Sequence, residues 1–343
     1  MSSKSVPFVT FCRRMKIQIM KEIRITDINN IKIGQVENAG AATGCTAVIC
    51  ENGMAAGLDV RGGGPASRES ELLKPTAAAS VIHAIVLAGG SAYGLDAAGG
   101  VMQCLEEHDI GMEVGVCKVP LVCQSDIFDL TVGACDVRPD KAMGYAAAEA
   151  ALAGGNYRDG NYGAGCGASV GKWKGMETCM KSGIGSYAVQ VGQLQVGAIV
   201  VVNALGDIYD YKTGQKVAGL LSDDKKSFRD TLGVMLESTD VIENKFTGNT
   251  TIGVVITNAA FDKTALCKIA GMTHNGYARS IKPVHTSADG DSIYAVSVGD
   301  IKADRDLVGT LAADVMSEAI LRAVRSCEEA YGLPAAGSLK LQQ

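Results

Sequence analysis

Long apolar runs are missing from this 343-residue chain. No stretch of about 18 uninterrupted apolar residues occurs, so no membrane span is expected. Clustered basic charge is missing too. Lys and Arg total 32 against 37 Asp and Glu, a net charge of −5, and no basic run forms a stripe for nucleic acid. Aromatic residues make up 5%, too few for a stacking platform on single strands. The 11 cysteines, an odd number, include no C-x-x-C; the nearest pair, Cys45 and Cys50, fits neither a zinc knuckle nor a redox motif. Reduced core thiols in a cytoplasmic protein are therefore expected, which removes glycosylation as a reading of Asn249-Thr250-Thr251.

Familiar catalytic signatures are absent as well. The four histidines, His83, His108, His274 and His285, make no metal signature. His285 has Asp289 four positions on, but "HTSADGD" reads as a turn, so the two share no helix face. There is no G-x-S-x-G elbow for a serine triad. "LAGGSAYG" (Leu87–Gly94) resembles a phosphate-binding helix entry but lacks the Lys-Ser/Thr of a P-loop. "GAGCGA" (Gly163–Ala168) follows no strong strand, and its glycines read as sites of close backbone approach. No cofactor and no metal are expected.

What the chain does contain is small residues: 42 Gly, and Ala runs such as "GYAAAEAALAGG" (Gly144–Gly155). These glycines are interleaved with apolar strands, which points to tightly packed layers and not to disorder. The N-terminal segment is basic but has no continuous apolar region, so it is not a signal peptide. Met15 and Met20 are alternative starts, and residues 1–24 read as an extension preceding a single domain over 25–343. "CTAVICENGMAAGLDV" (Cys45–Val60) reads as a hairpin turning at Glu51–Gly53. "VIHAIVLAGG" reads as a buried strand and "SAYGLDAAGGVMQCLEEH" as the helix after it, while Ser186–Asp210 holds two strands. Ser222–Leu236 reads as a helix capped by Ser222 or Asp223, followed by a polar linker, Glu237–Asn249. "TIGVVITN" and "SIYAVSVGD" are strands, with a helix over Asp262–Ile281 between them. A last helix from about Asp304 to Ala330 buries Val308, Ala312, Met316, Ile320 and Val324, and is stopped by Gly332 and Pro334.

The junction "FTGNTTIGVVITN" (Phe246–Asn258) runs from linker to apolar strand with no polar spacer. A β-branched Thr opening a strand is one reading. The other is nucleophilic. An α-amino group has a pKa of about 7.7–8.0, so a Thr freed by cleavage of its own amide bond carries its own general base.

Seven segments, "GLDVRGGGPASRE", "HAIVLAGGSAYGLDAAGGV", "RPDKAMGYAA", "GAGCGASVGK", "VVVNALGD", "GNTTIGVVITNA" and "VHTSADGDSIYAVS", occur in the order seen in the DmpA-like peptidases. That family includes L-aminopeptidase/D-amidase-esterases, β-aminopeptidases and the endo-type 6-aminohexanoate (nylon) oligomer hydrolase. The resemblance runs from about Ile25 to Gly332. It implies a four-layer αββα sandwich of the α+β class, similar to the N-terminal-nucleophile hydrolases. It also implies autocleavage between Asn249 and Thr250 into an α-chain 1–249 and a β-chain 250–343, and heterodimers that assemble into tetramers. Thr250 is then the nucleophile. Asn203 matches a residue holding the nucleophile or oxyanion, and Tyr93 one that lines the site. Lys172 matches a Lys beside the nucleophile, where a cation lowers the pKa of the Thr250 amine. Asp289 and Asp291 stand where relatives carry a Ser-x-Glu or Asp-x-Asp pair that orients amines. Thr with Asp/Asp looks closer to the nylon-oligomer hydrolase than to the Ser-dependent β-aminopeptidases. A self-processing amide or peptide hydrolase acting on a small substrate is the expected function. An acyltransferase of the ornithine acetyltransferase type and an unprocessed, non-catalytic homologue are the alternatives.

Overall fold

The computed structural model describes residues 20–237, 239 and 248–339. The start at Met15, most of the expected N-terminal extension and most of the expected linker lie outside the described residues.

Ten strands form one sheet: β1 (Met20–Ile23), β2 (Lys32–Asn38), β3 (Thr43–Val60), β4 (Ala66–Arg68), β5 (Ile82–Ala88), β6 (Val122–Asp126), β7 (Ile184–Val191), β8 (Leu194–Asn203), β9 (Thr250–Ala259) and β10 (Ser292–Ile301). Their order is β1-β7-β8-β9-β10-β3-β5-β6-β4, with β2 pairing on the first half of β3. The helices are α1 (Ala97–Glu107), α2 (Lys141–Leu152), α3 (Thr231–Met235), α4 (Lys263–Ser280) and α5 (Arg305–Arg325).

The hairpin expected over Cys45–Val60 is instead one continuous strand. The first half of β3 pairs with β2 and β5, the second with β10. Between Ile49 and Met54 the register against β5 shifts, and Gly53 there has φ +78°. Glu51–Gly53 is thus a bulge, not a reversal; an inserted residue bends and twists a strand. That bend carries β3 from one half of the sheet to the other.

Alternation of side chains along the strands then builds the layers. Ile199, Val201, Ile252, Val254 and Ile256 meet Val48, Ile85 and Leu87 in a core between the two halves. The opposite faces, with Val200, Val202 and Val255, pack on Leu266 and Ile269 of α4 and on Val308, Met316 and Ile320 of α5. Ala47, Ala84 and Val86 pack on Val101 and Leu105 of α1 and on Ala147 and Ala151 of α2. The result is the expected α+β sandwich, helix–sheet–sheet–helix.

All five residues assigned to the buried face of the last helix are buried. Asp304 caps it through Leu307 N, but it ends at Arg325, earlier than Ala330. The helix expected from Ser222 is confined to Thr231–Met235, capped by Asp230. Ser222 instead closes a local loop: its Oγ donates to Asp224 Oδ1 (2.6 Å) and its N–H to Ser227 O (2.9 Å). Such Ser/Asp bonds compete with helix formation. Among the described residues no helix is long and apolar enough to cross a membrane.

Candidate active site

Three chain segments end together at the middle of the sheet. β8 finishes at Asn203, and Asn203 pairs with Thr250, the first residue of antiparallel β9. β10 runs parallel to β9 and begins at Ser292, so Asp289-Gly290-Asp291 arrives beside the start of β9, where Asn249 and Asp289 form a bridge. The Gly-rich loop after β3 closes over this turn: Arg61 N donates to Asp291 O (3.0 Å) and Gly64 N to Asp289 O (2.8 Å). A Cβ on Gly62 would lie 2.3 Å from Asp289 O, so only glycine permits this approach.

Thr250 is 5% exposed at this convergence. Its Oγ1 donates to the carbonyl oxygen of Asn249, the residue before it. Gly290 N donates to the same oxygen at 3.0 Å. The carbonyl of the Asn249–Thr250 bond therefore faces both a hydroxyl and a fixed main-chain donor. The Asn249 side chain is buried, and its amide atoms have no hydrogen-bond partner among the described residues.

Lys172 and Asn203 brace the segment leading into that bond. Lys172 Nζ donates to Asn203 O (3.0 Å), Asn203 Oδ1 (2.8 Å) and Gly248 O (2.5 Å). Asn203 Nδ2 donates to Gly248 O and to Phe128 O, both at 3.1 Å, while Asn203 Oδ1 accepts from Ser169 N at 3.1 Å. Gly248 has φ +59°, and a Cβ there would sit 2.0 Å from the Phe128 ring. Burial pushes the Lys172 ammonium down to about 7, against the opposing pull of Cys179, Asp289, Asp129 and Asp291.

The carboxylates occupy the other side. Asp289 Oδ2 accepts from Thr286 N (2.7 Å) and Thr286 Oγ1 (2.6 Å). Burial, and then the neighbouring Asp291 charge, raise Asp289 to about 6. Asp291 Oδ1 accepts from Thr251 N at 2.8 Å, which fixes the first turn of the chain into β9. Its Oδ2 accepts from His285 N (3.1 Å) and lies 2.8 Å from His285 Nδ1. The two carboxylates thus bond Thr286, Thr251 and His285.

The structure therefore gathers Thr250, Asn249, Asn203, Lys172, Asp289 and Asp291 into one buried cluster. Tyr93 stands apart from these hydrogen bonds. Its side chain is 62% exposed and carries the Arg138 guanidinium 3.8 Å above its ring. The sequence reading missed two contributors. His285, with φ +58°, partners Asp291 and not Asp289, and packs on His274 at 4.8 Å and on Tyr277 at 5.9 Å between ring centres. Gly290 contributes a main-chain N–H, which no side-chain motif can announce.

A buried hydroxyl, amide, lysine and carboxylate pair thus meet at the head of a central strand. The chain matches the model of peptidase family S58 over residues 24–335 and belongs to that family. It is a hydrolase acting on peptide or amide bonds. An uncharacterized aminopeptidase of Mycobacterium leprae is 36% identical, over 90% of this chain and 92% of the relative. The 6-aminohexanoate-oligomer endohydrolase of Paenarthrobacter ureafaciens is 30% identical, over 88% and 86%. Among solved structures, a Burkholderia sp. beta-aminopeptidase superposes with a TM-score of 0.63 at 18% identity, covering 94% of both chains. The L-aminopeptidase D-Ala-esterase/amidase of Ochrobactrum anthropi gives 0.62 at 17%, covering 90% and 88%. At these identities the two structures establish the shared fold.

Proposed function

We propose that the chain is a precursor that cuts its own Asn249–Thr250 bond and then hydrolyses small amides with Thr250 as nucleophile. One observation carries this reading: Thr250 Oγ1 and Gly290 N both point at the Asn249 carbonyl oxygen. Attack of Oγ1 on that carbonyl carbon places negative charge on an oxygen already held by the Gly290 N–H, the preorganised arrangement that lowers such barriers. The C–N bond then breaks, the hydroxyl proton passes to the departing Thr250 nitrogen, and an ester links Asn249 to Thr250 Oγ1. Water opens the ester, leaving a carboxylate at Asn249 and a free amine on Thr250.

In turnover the freed amine takes the Thr250 hydroxyl proton and Oγ1 attacks the substrate carbonyl. The amine of the substrate departs with that proton, and water hydrolyses the acyl-enzyme. Lys172 and Asn203 hold the strand junction, and Asp289 and Asp291 supply negative charge for a substrate ammonium or the Thr250 amine. Tyr93, on the exposed helix entry after β5, is left to contact substrate at the entrance. The names of the relatives support aminoacyl amides and ω-amino-acid oligomers as the substrate class. The α-chain 1–249 and β-chain 250–343 remain in one hydrolase unit over 25–343, and such units assemble as tetramers.

Intact mass and a denaturing gel of wild type beside Thr250→Ala test the reading. Wild type gives two fragments meeting at Asn249/Thr250, and the variant one full-length chain. A wild type that stays whole overturns it. Assays with aminoacyl p-nitroanilides and 6-aminohexanoate oligomers, with and without an acceptor amine, then separate hydrolysis from acyl transfer.

A further inference from the structure

On the outer helical layer, packed on the half-sheet that holds β5, a second group of reactive side chains meets. Cys104 lies on α1, His108 follows at its C-terminal end, and Glu149 projects from the last turns of α2. The three ligand atoms all lie within 4.8 Å of one another. Cys104 Sγ is 3.3 Å from Glu149 Oε1, and His108 Nε2 is 3.5 Å from the same oxygen. With metal–ligand bonds of about 2.0–2.3 Å, atoms on a tetrahedral zinc are separated by about 3.5 Å, so these spacings already suit one ion.

Two further features favour a cation here. The ring of His108 is fixed as a ligand ring usually is: Nδ1 lies 2.8 Å from the Cys104 main-chain carbonyl and 3.9 Å from Cys104 Sγ, which leaves Nε2 to face Glu149 Oε1. The C-terminal ends of α1 and α2 also converge. The Tyr145 hydroxyl of α2 donates to Glu107 Oε2 at the end of α1 (2.6 Å). The last turn of neither helix contains a basic residue. Two negative macrodipole ends, with Glu107 and Glu149, therefore lie together without a lysine or arginine of their own. Lys32, across the adjoining cleft, is paired with Glu51. That cleft, about 470 Å³, is lined by His108 and Glu149, whereas Cys104 is fully buried. Such a site is closed by the Cys104 sulfur on the protein side and open to water on the other.

We propose that Cys104, His108 and Glu149 bind a borderline-soft divalent cation of the Zn²⁺ type, clamping the ends of α1 and α2. This revises the expectation that no histidine here ligates a metal. The signal was Cys104-x₃-His108, one helical turn apart on one face, but the third ligand comes from a different helix. As the cation binds, a sulfur–metal bond replaces the S–H bond, and the proton passes by way of Glu149, whose Oε1 lies 3.3 Å from Cys104 Sγ, to water in the cleft. The site is separate from Thr250 and stands whether or not the chain cuts itself.

The test titrates Co²⁺ into the chelator-treated full chain. A near-ultraviolet thiolate-to-cobalt charge-transfer band is expected, with displacement by Zn²⁺ and a rise in melting temperature. Cys104→Ser should abolish the band, and Glu149→Gln, a conservative change at a half-exposed position, should weaken Co²⁺ binding by at least the about 10–100-fold that loss of an outer-shell partner costs. Circular dichroism in chelator confirms that both variants are folded. A band of equal strength and affinity in wild type, Cys104→Ser and Glu149→Gln would assign the ion to exposed thiols such as Cys117 and Cys135, and would overturn the site. So would the absence of any band in wild type.

Discussion

Replacing Lys172 by Met separates stability from chemistry. The ammonium makes three hydrogen bonds, to Asn203 O, Asn203 Oδ1 and Gly248 O. Bonds to a charged group contribute about 1.5–3 kcal/mol each. Against this stands burial: lowering from 10.5 to about 7 corresponds to about 5 kcal/mol of penalty on the charged form. At the lower end of that range the bonds offset the burial penalty, and two of the acceptors keep a second donor, Ser169 N for Asn203 Oδ1 and Asn203 Nδ2 for Gly248 O. The folded variant should therefore be close to wild type in stability. Its pH dependence should differ. The folded pKa lies below the unfolded one, so between about 7 and 10.5 the unfolded chain binds more protons, and wild-type stability gains from this group as pH rises. Lys172→Met loses that gain. The proposed self-cleavage, in contrast, loses the brace that Lys172 places on Gly248 O just before the scissile bond, and should slow about 10²-fold, the cost of misplacing reacting groups. Denaturing gels at timed intervals after synthesis, alongside melting curves at several pH values, measure both. A variant that is cut as fast as wild type, or one with the wild-type slope of stability against pH, would refute the assigned role.

Other substitutions probe the remaining contacts. Gly290→Ala places a Cβ 2.8 Å from Thr250 Oγ1 and 2.9 Å from Gly64 O, so cleavage should be strongly slowed while circular dichroism stays native; normal processing would remove Gly290 from the oxyanion argument. Asp289 is raised to about 6, so kcat/KM should climb as pH rises through that value, and Asp289→Asn should lose both the limb and most of the activity in a pH–rate profile. His285→Asn keeps a polar side chain and tolerates φ +58°, whereas His285→Leu removes the side-chain partner of Asp291 Oδ2 and leaves its main-chain donors. Leu should lower kcat and shift its pH profile, and Asn should recover part of both; equal behaviour of the two would make His285 a packing residue.

Local pattern made much of this fold legible. The four-residue spacing of Val308 to Val324 marked the buried face of α5, and the β-branched run after Thr250 marked β9. The bulge at Glu51–Gly53 was misread because a turn-like tripeptide looks the same whether the chain reverses or its pairing partners change. Ser222 failed as a cap because its bonds close a loop before any helix starts. At the site, Asn203, Lys172, Asp289 and Asp291 were named through ordered segments, and only the sheet order explains why residues so far apart in sequence meet Thr250. His285 was tested against Asp289 by spacing alone, while the turn delivers it to Asp291.

The place of β9 and β10 in the sheet has a consequence for the life history of the protein. They are neighbours, with β8 on one side and β3 on the other, both from the segment before residue 249. A continuous chain threads them into that slot in a unimolecular reaction. After the cut proposed at Asn249, refolding would become a meeting of two molecules, and the longer one, emptied of its centre, would expose two raw strand edges of the kind that pair with other chains. The proposed maturation would thus make folding a one-way event. Heating should melt the mature enzyme irreversibly, and the Thr250→Ala chain should refold on cooling.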